Sequence, residues 1–441
     1  MYPKDFFKES LSFSRSVHGL EFQLKQEQEE LLFAFLNGKD CIGVLPTNFG
    51  KSIIYQLAPS VHHDMARRTD EMVAILQGQV MLIVVSPTKA LINDQMESCE
   101  RLGITARKLC SDELDDLNDE AGEITILYAM PENLLEEKFR SFLLDKFQER
   151  IIGIVVDEAH LVPKWGTSSK PEDAPFREAF QHLDRLRGYF STPYLCLTAT
   201  ANKKTRNDIT KILGLKQPKI IKVTPEKPNI KLRIIKVKTV EDVMDSALLC
   251  DLVDQLKTDP KTCDKTIIYC HSYPACGDVY LKIKGHFPRG FDLTLLVEIY
   301  HGSTEDEIQQ EILDDFSNNN SSTRIVIATN ALGVGVNIRN IRNIVHWGVP
   351  SDIEGYVQEI GRAGRDEKDS SATLFYRGND LTHCKDKDMV TYIKNEQKEC
   401  RRKLLMSFFK SEYSTSVEKH FCCDVCSEIC NCTLCSQNLM V

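Results

Sequence analysis

Three stretches of this chain carry side chains that could act on a phosphate anhydride. The first is Leu45-Pro46-Thr47-Asn48-Phe49-Gly50-Lys51-Ser52, which closes an apolar run and opens the helical pattern Ile53 to Ala58. A tight turn from strand to helix aims backbone N–H groups and the positive helix end at an anion. Lys51 could then pair with the β- and γ-phosphates of ATP, and Ser52 could ligate Mg²⁺, with Thr47, Asn48 and Gly50 shaping the loop. A strict phosphate loop has glycine where Leu45 stands, so the loop alone also fits an ordinary turn. The second stretch is Ile154-Val155-Val156-Asp157-Glu158-Ala159-His160, with two acids at the end of an apolar strand. Asp157 would hold Mg²⁺ through its water shell, and Glu158 would orient or deprotonate the attacking water. A surface acid pair capping a helix is the bland alternative. Both stretches in one sheet, in this order, point to nucleotide hydrolysis. The third is Gly361-Arg362-Ala363-Gly364-Arg365. An arginine supplied by a second lobe can neutralise charge developing on a γ-phosphate, an effect worth roughly 10³ to 10⁵ in rate. Arg362 and Arg365, three apart on what reads as a helix, can point the same way.

The elements that must position these groups are short β-branched runs alternating with helical patterns, the signature of α/β units with parallel sheets. One series runs Cys41 to Leu45, Val80 to Ser86, Ile124 to Tyr128, Ile151 to Asp157 and Tyr194 to Leu197. A second runs Thr266 to Cys270, Leu293 to Tyr300, Arg324 to Ala328, Ile341 to Trp347 and Ala372 to Tyr376. Between them lies a basic stretch with Pro218, Pro225 and Pro228, read as an exposed connection. The expected domains are therefore residues 1–222 and 223–378, followed by a small metal-dependent unit over 379–441.

The 441 residues exclude a single small module, and 42% hydrophobic with 27% charged residues excludes wholesale disorder. No run approaches a membrane span, and the start MYPKDFFKESLSFSRS lacks the flanks of a signal peptide, so an address inside the cell is expected. The net charge of −9 argues mildly against coating nucleic acid by bulk charge. Ala201 to Lys238, however, holds twelve basic residues against Asp208 and Glu226, which suits either a polyanion track or a solvated linker. Of sixteen cysteines, seven crowd the last 42 residues, which suggests metal ligands rather than disulfides.

With Pro46-Thr47, Gly50-Lys51-Ser52, Ser86-Pro87-Thr88, Asp94-Gln95, Tyr128, Asp157-Glu158-Ala159-His160, Trp165-Gly166 and Leu197-Thr198-Ala199-Thr200-Ala201 in this order, the chain resembles the RecQ family of superfamily 2 DNA helicases. Ile267-Ile268-Tyr269-Cys270, His301-Gly302, Ala328-Thr329, Gly333, Gly335, Asn337 and Gln358-Glu359-Ile360-Gly361-Arg362-Ala363-Gly364-Arg365-Asp366 continue the likeness in the second half. The resemblance implies two tandem RecA-like P-loop domains, a helical zinc-binding subdomain, and ATP, Mg²⁺ and Zn²⁺ as cofactors. It implies nucleotide contacts from Gln28, Lys25, Gly335 and Gln358. Ser86, Thr88, Tyr128, Trp165 and Thr329 are expected to contact DNA. A glutamine amide can donate to and accept from the adenine edge at once, which suits Gln28 to that role. For zinc, the implied ligands are Cys400, Cys423 and Cys426. The fourth is His420 by spacing, with Cys422 or Cys430 as alternatives.

The expected function is ATP-dependent 3′-to-5′ unwinding of duplex or branched DNA by translocation along single strands, in recombination or repair and hence in the nucleus, with protein partners open. The competing readings are a translocase or RNA helicase on the same frame, or a DNA-binding module without turnover. Three departures bear on this. Asn48-Phe49 replaces a Gly-Gly pair, and Phe49 adds bulk near the triphosphate. Thr167-Ser168-Ser169-Lys170-Pro171 stands where the family has His-Asp-Phe-Arg-Pro, so either Phe176-Arg177 takes over part of the role after a short insertion or coupling of DNA to hydrolysis is weaker, the outcome expected here. The sequence stops at Val441, so no winged helix is expected.

Overall fold

The computed structural model describes residues 2–68, 80–110, 114, 117, 122–165, 179–239, 241–318, 320–329, 332, 338, 340–413 and 416–436. They form two compact units, Met1–Val223 and Thr224–Val441.

The first unit holds β1 (Cys41–Val44), β2 (Met81–Val85), β3 (Ala106–Lys108), β4 (Ile126–Ala129), β5 (Ile151–Val156), β6 (Tyr194–Thr198) and β7 (Lys219–Lys222). They pair in the order β3-β4-β2-β5-β6-β1-β7, every described pairing parallel. Alternate residues feed two cores. Leu82, Val84, Val155, Leu195 and Leu197 face one layer of helices, whereas Ile83, Val85, Ile154, Val156 and Cys196 face the other. Burial on both faces is why these strands read as unbroken apolar runs. The helix Gln26–Leu36 lies on the first face, where Gly153 of β5 leaves room that a Cβ would deny to the Phe35 ring.

The second unit holds β8 (Ile230–Lys236), β9 (Lys265–Cys270), β10 (Val297–Tyr300), β11 (Ile325–Ala328), β12 (Ile341–Trp347) and β13 (Ser370–Tyr376). Their order is β10-β11-β9-β12-β13-β8, again parallel wherever described. Two expectations change here. The basic stretch is not merely a connection, because its residues form the helix Lys203–Ile212, β7 and β8. The cysteine-rich segment shares the second unit's core: Met389, Tyr392, Leu405, Met406, Phe409, Cys422 and Cys423 pack with Ile230 and Leu232 of β8. The covered edge of β8 bonds to this segment through a bridge from Leu232 to Cys423 and through Ile234 N–H to Asp424 Oδ2 at 3.1 Å. Covering an edge strand removes a template for unwanted pairing.

Candidate nucleotide site and metal centre

In the first unit the loop after β1 turns through two left-handed residues, Asn48 at φ 67° and Gly50 at φ 78°. Gly50 caps the helix Lys51–Gln56, so the Lys51 and Ser52 N–H groups face outward at its start. Asparagine tolerates this backbone better than most residues, which lets the turn survive loss of the Gly-Gly pair. Phe49 is tucked aside. Its ring packs against the core, with Lys25 Nζ 4.0 Å above it.

Gln28 is buried at the start of the Gln26–Leu36 helix, and its side chain braces this loop. Its Nε2 donates to Phe49 O at 2.8 Å and Gly50 O at 2.9 Å, and its Oε1 accepts from Lys25 N–H at 2.7 Å. A Cβ on Gly50 would stand 2.8 Å from that amide nitrogen and displace it, while the positive φ itself favours glycine. Gln28, expected as an adenine reader, thus meets the phosphate loop in this structure. Beneath the loop, Tyr55 OH donates to Gln95 Oε1 at 3.1 Å and Gln56 Nε2 donates to Ser98 Oγ at 3.2 Å. These bonds tie the loop's helix to the helix Lys89–Arg101.

Order in the sheet brings the acids alongside, since only β6 separates β5 from β1. Asp157 is 6% exposed, and its carboxyl is pushed up to about 7, first by burial and then by the charge of Glu158, with Lys51 acting in the opposite sense. Two carboxylates crowded in a buried site beside a lysine fit a divalent cation, which would supply the missing charge. Glu158 takes a positive φ of 47°, and its N–H donates to Asp157 Oδ1 at 2.9 Å. His160 Nδ1 lies 3.3 Å from Glu158 Oε2 and 3.0 Å from Thr198 Oγ1, whose hydroxyl donates to Thr200 O at 3.0 Å. The acids that follow β5 thereby lie beside His160, which bonds to the end of β6. Sequence reasoning quoted His160 and Thr198 without giving them this task, which shows only once β5 and β6 are known to be neighbours.

In the second unit Gln358 is buried on the helix Ile353–Ile360. Arg362 and Arg365 lie in the turns after that helix rather than on it, because it ends at Ile360. Arg362 is 4% exposed and Arg365 half-buried. The turn is held from residues the sequence did not single out. Lys227 Nζ donates to Gly361 O at 2.6 Å and Ala363 O at 3.3 Å, and Asn229 Nδ2 donates to Gly364 O and Lys368 O, each at 2.9 Å. Burial, then Arg365 and Arg362, pull the Lys227 ammonium down to about 8.

The residues expected to touch DNA divide. Ser86 and Tyr128 are buried in the first unit, and the Tyr128 phenol lies 3.5 Å from Cys99 Sγ within the core. Thr88 is half-buried and caps the helix Lys89–Arg101 by accepting from Leu91 N–H at 3.2 Å. Thr329 is half-buried at the end of β11. Trp165 closes the helix Leu161–Trp165. Its side chain, residues 166–178, Gly333, Gly335 and Asn337 lie outside the described residues.

The metal ligands divide in an unexpected way. Cys400, Cys422, Cys423 and Cys426 bring their sulfurs within 4.8 Å of one another, with Cys400 and Cys422 at 3.6 Å. Tetrahedral zinc thiolates at ~2.3 Å would stand about 3.8 Å apart, so this set fits zinc. Bonds from Cys422 and then Cys423 hold the Cys400 thiol well below its ordinary value, and Cys426 N–H donates to Cys423 Sγ at 3.4 Å. His420 is not in this set. Its expected place rested on three-residue spacing from Cys423, but Cys423 is extended at φ −163°, and the helix Lys419–Cys422 stops before it. Cys422 takes the fourth place. Arg402, 2% exposed, fastens the module by donating to Lys227 O and Ile230 O, each at 2.8 Å.

Residues 25–209 match the DEAD/DEAH box helicase family, and residues 246–367 match the helicase conserved C-terminal domain. The chain is 29% identical over 432 residues to the ATP-dependent helicase wrn-1 of Caenorhabditis elegans, covering 92% of this chain and 37% of that protein. It is 28% identical over 443 residues to the ATP-dependent DNA helicase RecQ of Haemophilus influenzae, covering 95% of this chain and 63% of that one. It thus spans less than two thirds of the length of either relative. Among solved structures, S. cerevisiae Dbp5 bound to RNA and ADP BeF3 shares the fold at a TM-score of 0.62 and 17% identity, over 92% of each chain. The two parallel sheets, the phosphate loop and the acids after β5 are accordingly those of a DEAD/DEAH box helicase domain followed by a helicase C-terminal domain, with RecQ helicases among its relatives.

Proposed function

We propose that the chain is an ATP-dependent DNA helicase that moves 3′ to 5′ along a single strand and separates duplex or branched DNA. The observation that carries this reading is the grouping of the Lys51 loop with Asp157 and Glu158 at the C-terminal end of the central strands, beside His160 and Thr198. The site suits ATP with Mg²⁺. Thr47, Asn48, Gly50, Lys51 and Ser52 would cradle the phosphates, Asp157 would hold the cation's water shell, and Glu158 would act on the attacking water. Arg362 and Arg365 are assigned to the charge of the transition state, with Gln358 and Gly335 beside the nucleotide. The His160–Thr198 link gives the acids a route to whatever lies at the end of β6, which is the element through which DNA occupancy would be felt. The functional division is residues 1–222 and 223–378 as the two motor domains and 379–441 as a zinc-binding part. DNA repair or recombination in the nucleus follows from the RecQ likeness. No described helix is long and apolar enough to cross a membrane.

Strand-separation assays test the reading. DNA duplexes with a 3′ single-stranded tail should be opened in an ATP-dependent way, and 5′-tailed ones should not. Preference for RNA duplexes would replace the reading with an RNA helicase.

A further inference from the structure

Four donors lie beside the four-cysteine set without belonging to it. His420 Nδ1 stands 3.2 Å from Cys432 Sγ and 4.0 Å from Cys430 Sγ, and with Cys435 the four ligand atoms lie within 4.8 Å of one another. Bonds of ~2.3 Å to sulfur and ~2.0 Å to nitrogen in a tetrahedron separate ligand atoms by roughly 3.5 to 3.8 Å, which falls between the 3.2 and 4.0 Å found. We propose that His420, Cys430, Cys432 and Cys435 form a second structural zinc site, distinct from the Cys400, Cys422, Cys423 and Cys426 site.

Two further observations support it. His420 and Cys422 share the four-residue helix Lys419–Cys422, and positions two apart on a helix point to different sides. One helical turn thus serves one ligand to each site, and no ligand is shared. The imidazole is also oriented for the task. Its Nε2 lies 3.0 Å from Glu418 Oε2, which leaves Nδ1 facing the sulfurs. Carboxylate support on the far nitrogen is the usual companion of a zinc-bound histidine, because it fixes the ring and raises its basicity. Three thiolates with one imidazole suit zinc in a closed structural site. A disulfide among the three cysteines would leave both the odd thiol and the oriented imidazole without purpose. The second ion would tie residues 430–435 back to the turn that supplies Cys422 to the first.

Metal content decides the matter. The full chain, purified without chelator, should carry two zinc ions by plasma mass spectrometry and by native mass. Cys430→Ser/Cys435→Ser should carry one, and His420→Cys, which keeps a ligand in place, should carry two. One zinc in the wild type, two in the double variant, or iron in place of zinc overturns the proposal. Should the double variant fail to fold, titration of the metal-free wild type with Co²⁺ replaces it. Thiolate-to-cobalt absorption should rise to two equivalents in two spectrally different steps, and saturation at one equivalent overturns the proposal.

Discussion

Asp157 and Glu158 are adjacent in sequence yet held for different work, one buried against its neighbour's charge and the other turned by a positive φ toward His160. Substitution should separate the roles. Lys51→Ala and Glu158→Gln should each lower ATP turnover by about a hundredfold or more. Glu158→Gln should retain nucleotide in equilibrium binding while Lys51→Ala should lose it, and equal binding losses would contradict the division. The Asp157 carboxyl at about 7 makes a second prediction. An unfolded chain releases this proton near pH ~4 and the folded, nucleotide-free protein only near pH 7, so the group favours folding below pH ~4, and that contribution fades as pH rises toward 7. The stability of wild type relative to Asp157→Asn should therefore fall across this window in denaturant unfolding. Mg²⁺ affinity should rise across it, by about tenfold per pH unit at most. A flat stability difference from pH 4 to 8 would show that Asp157 is not so crowded. Gln28 and Lys25 hold the loop through Phe49, a contact visible only once the start of the helix Gln26–Leu36 is seen packed beside it on the same face of the sheet.

Most elements were legible because parallel strands buried on both faces leave unbroken apolar runs. The exceptions have physical reasons. β3 is only three residues long, and β7 is an edge strand whose Lys219 and Lys222 face solvent, so it looks like a charged linker. β8 was hidden in the same way, its outer edge being covered by the cysteine module rather than by another strand. Leu293 to Tyr300 shortens to Val297–Tyr300. The arginine turn misread as a helix shows that three-residue spacing is shared by helices and by successive turns. His420, placed by its spacing from Cys423, groups with Cys430, Cys432 and Cys435 instead, because one extended residue, Cys423, resets the register of spacing. Shared packing changes what metal removal should do. Because Cys422 and Cys423 sit in one core with Ile230 and Leu232, chelation should destabilise the whole second unit, lowering its melting temperature by on the order of 10 °C or more. Hydrogen exchange should then rise in β8 and β13. Loosening confined to residues after 380 would mean that the module stands apart.

The charge of −9 conceals a basic stretch, since Lys203, Lys204, Lys211, Lys216, Lys219 and Lys222 are all exposed in the first unit. Edge protection explains the last two, and the others are free to meet a phosphate backbone. Affinity for single-stranded DNA should accordingly fall steeply with salt, with a log–log slope of roughly 0.7 per phosphate displaced, and should depend little on base sequence. A flat salt response would remove the backbone-gripping reading. Turnover itself is most directly measured as the ATP hydrolysis rate of the purified chain with and without single-stranded DNA. The site described here should hydrolyse ATP, and DNA should raise the rate, with Lys51→Ala as a dead control. Hydrolysis indistinguishable from that control in both conditions would leave a binding module in place of a motor.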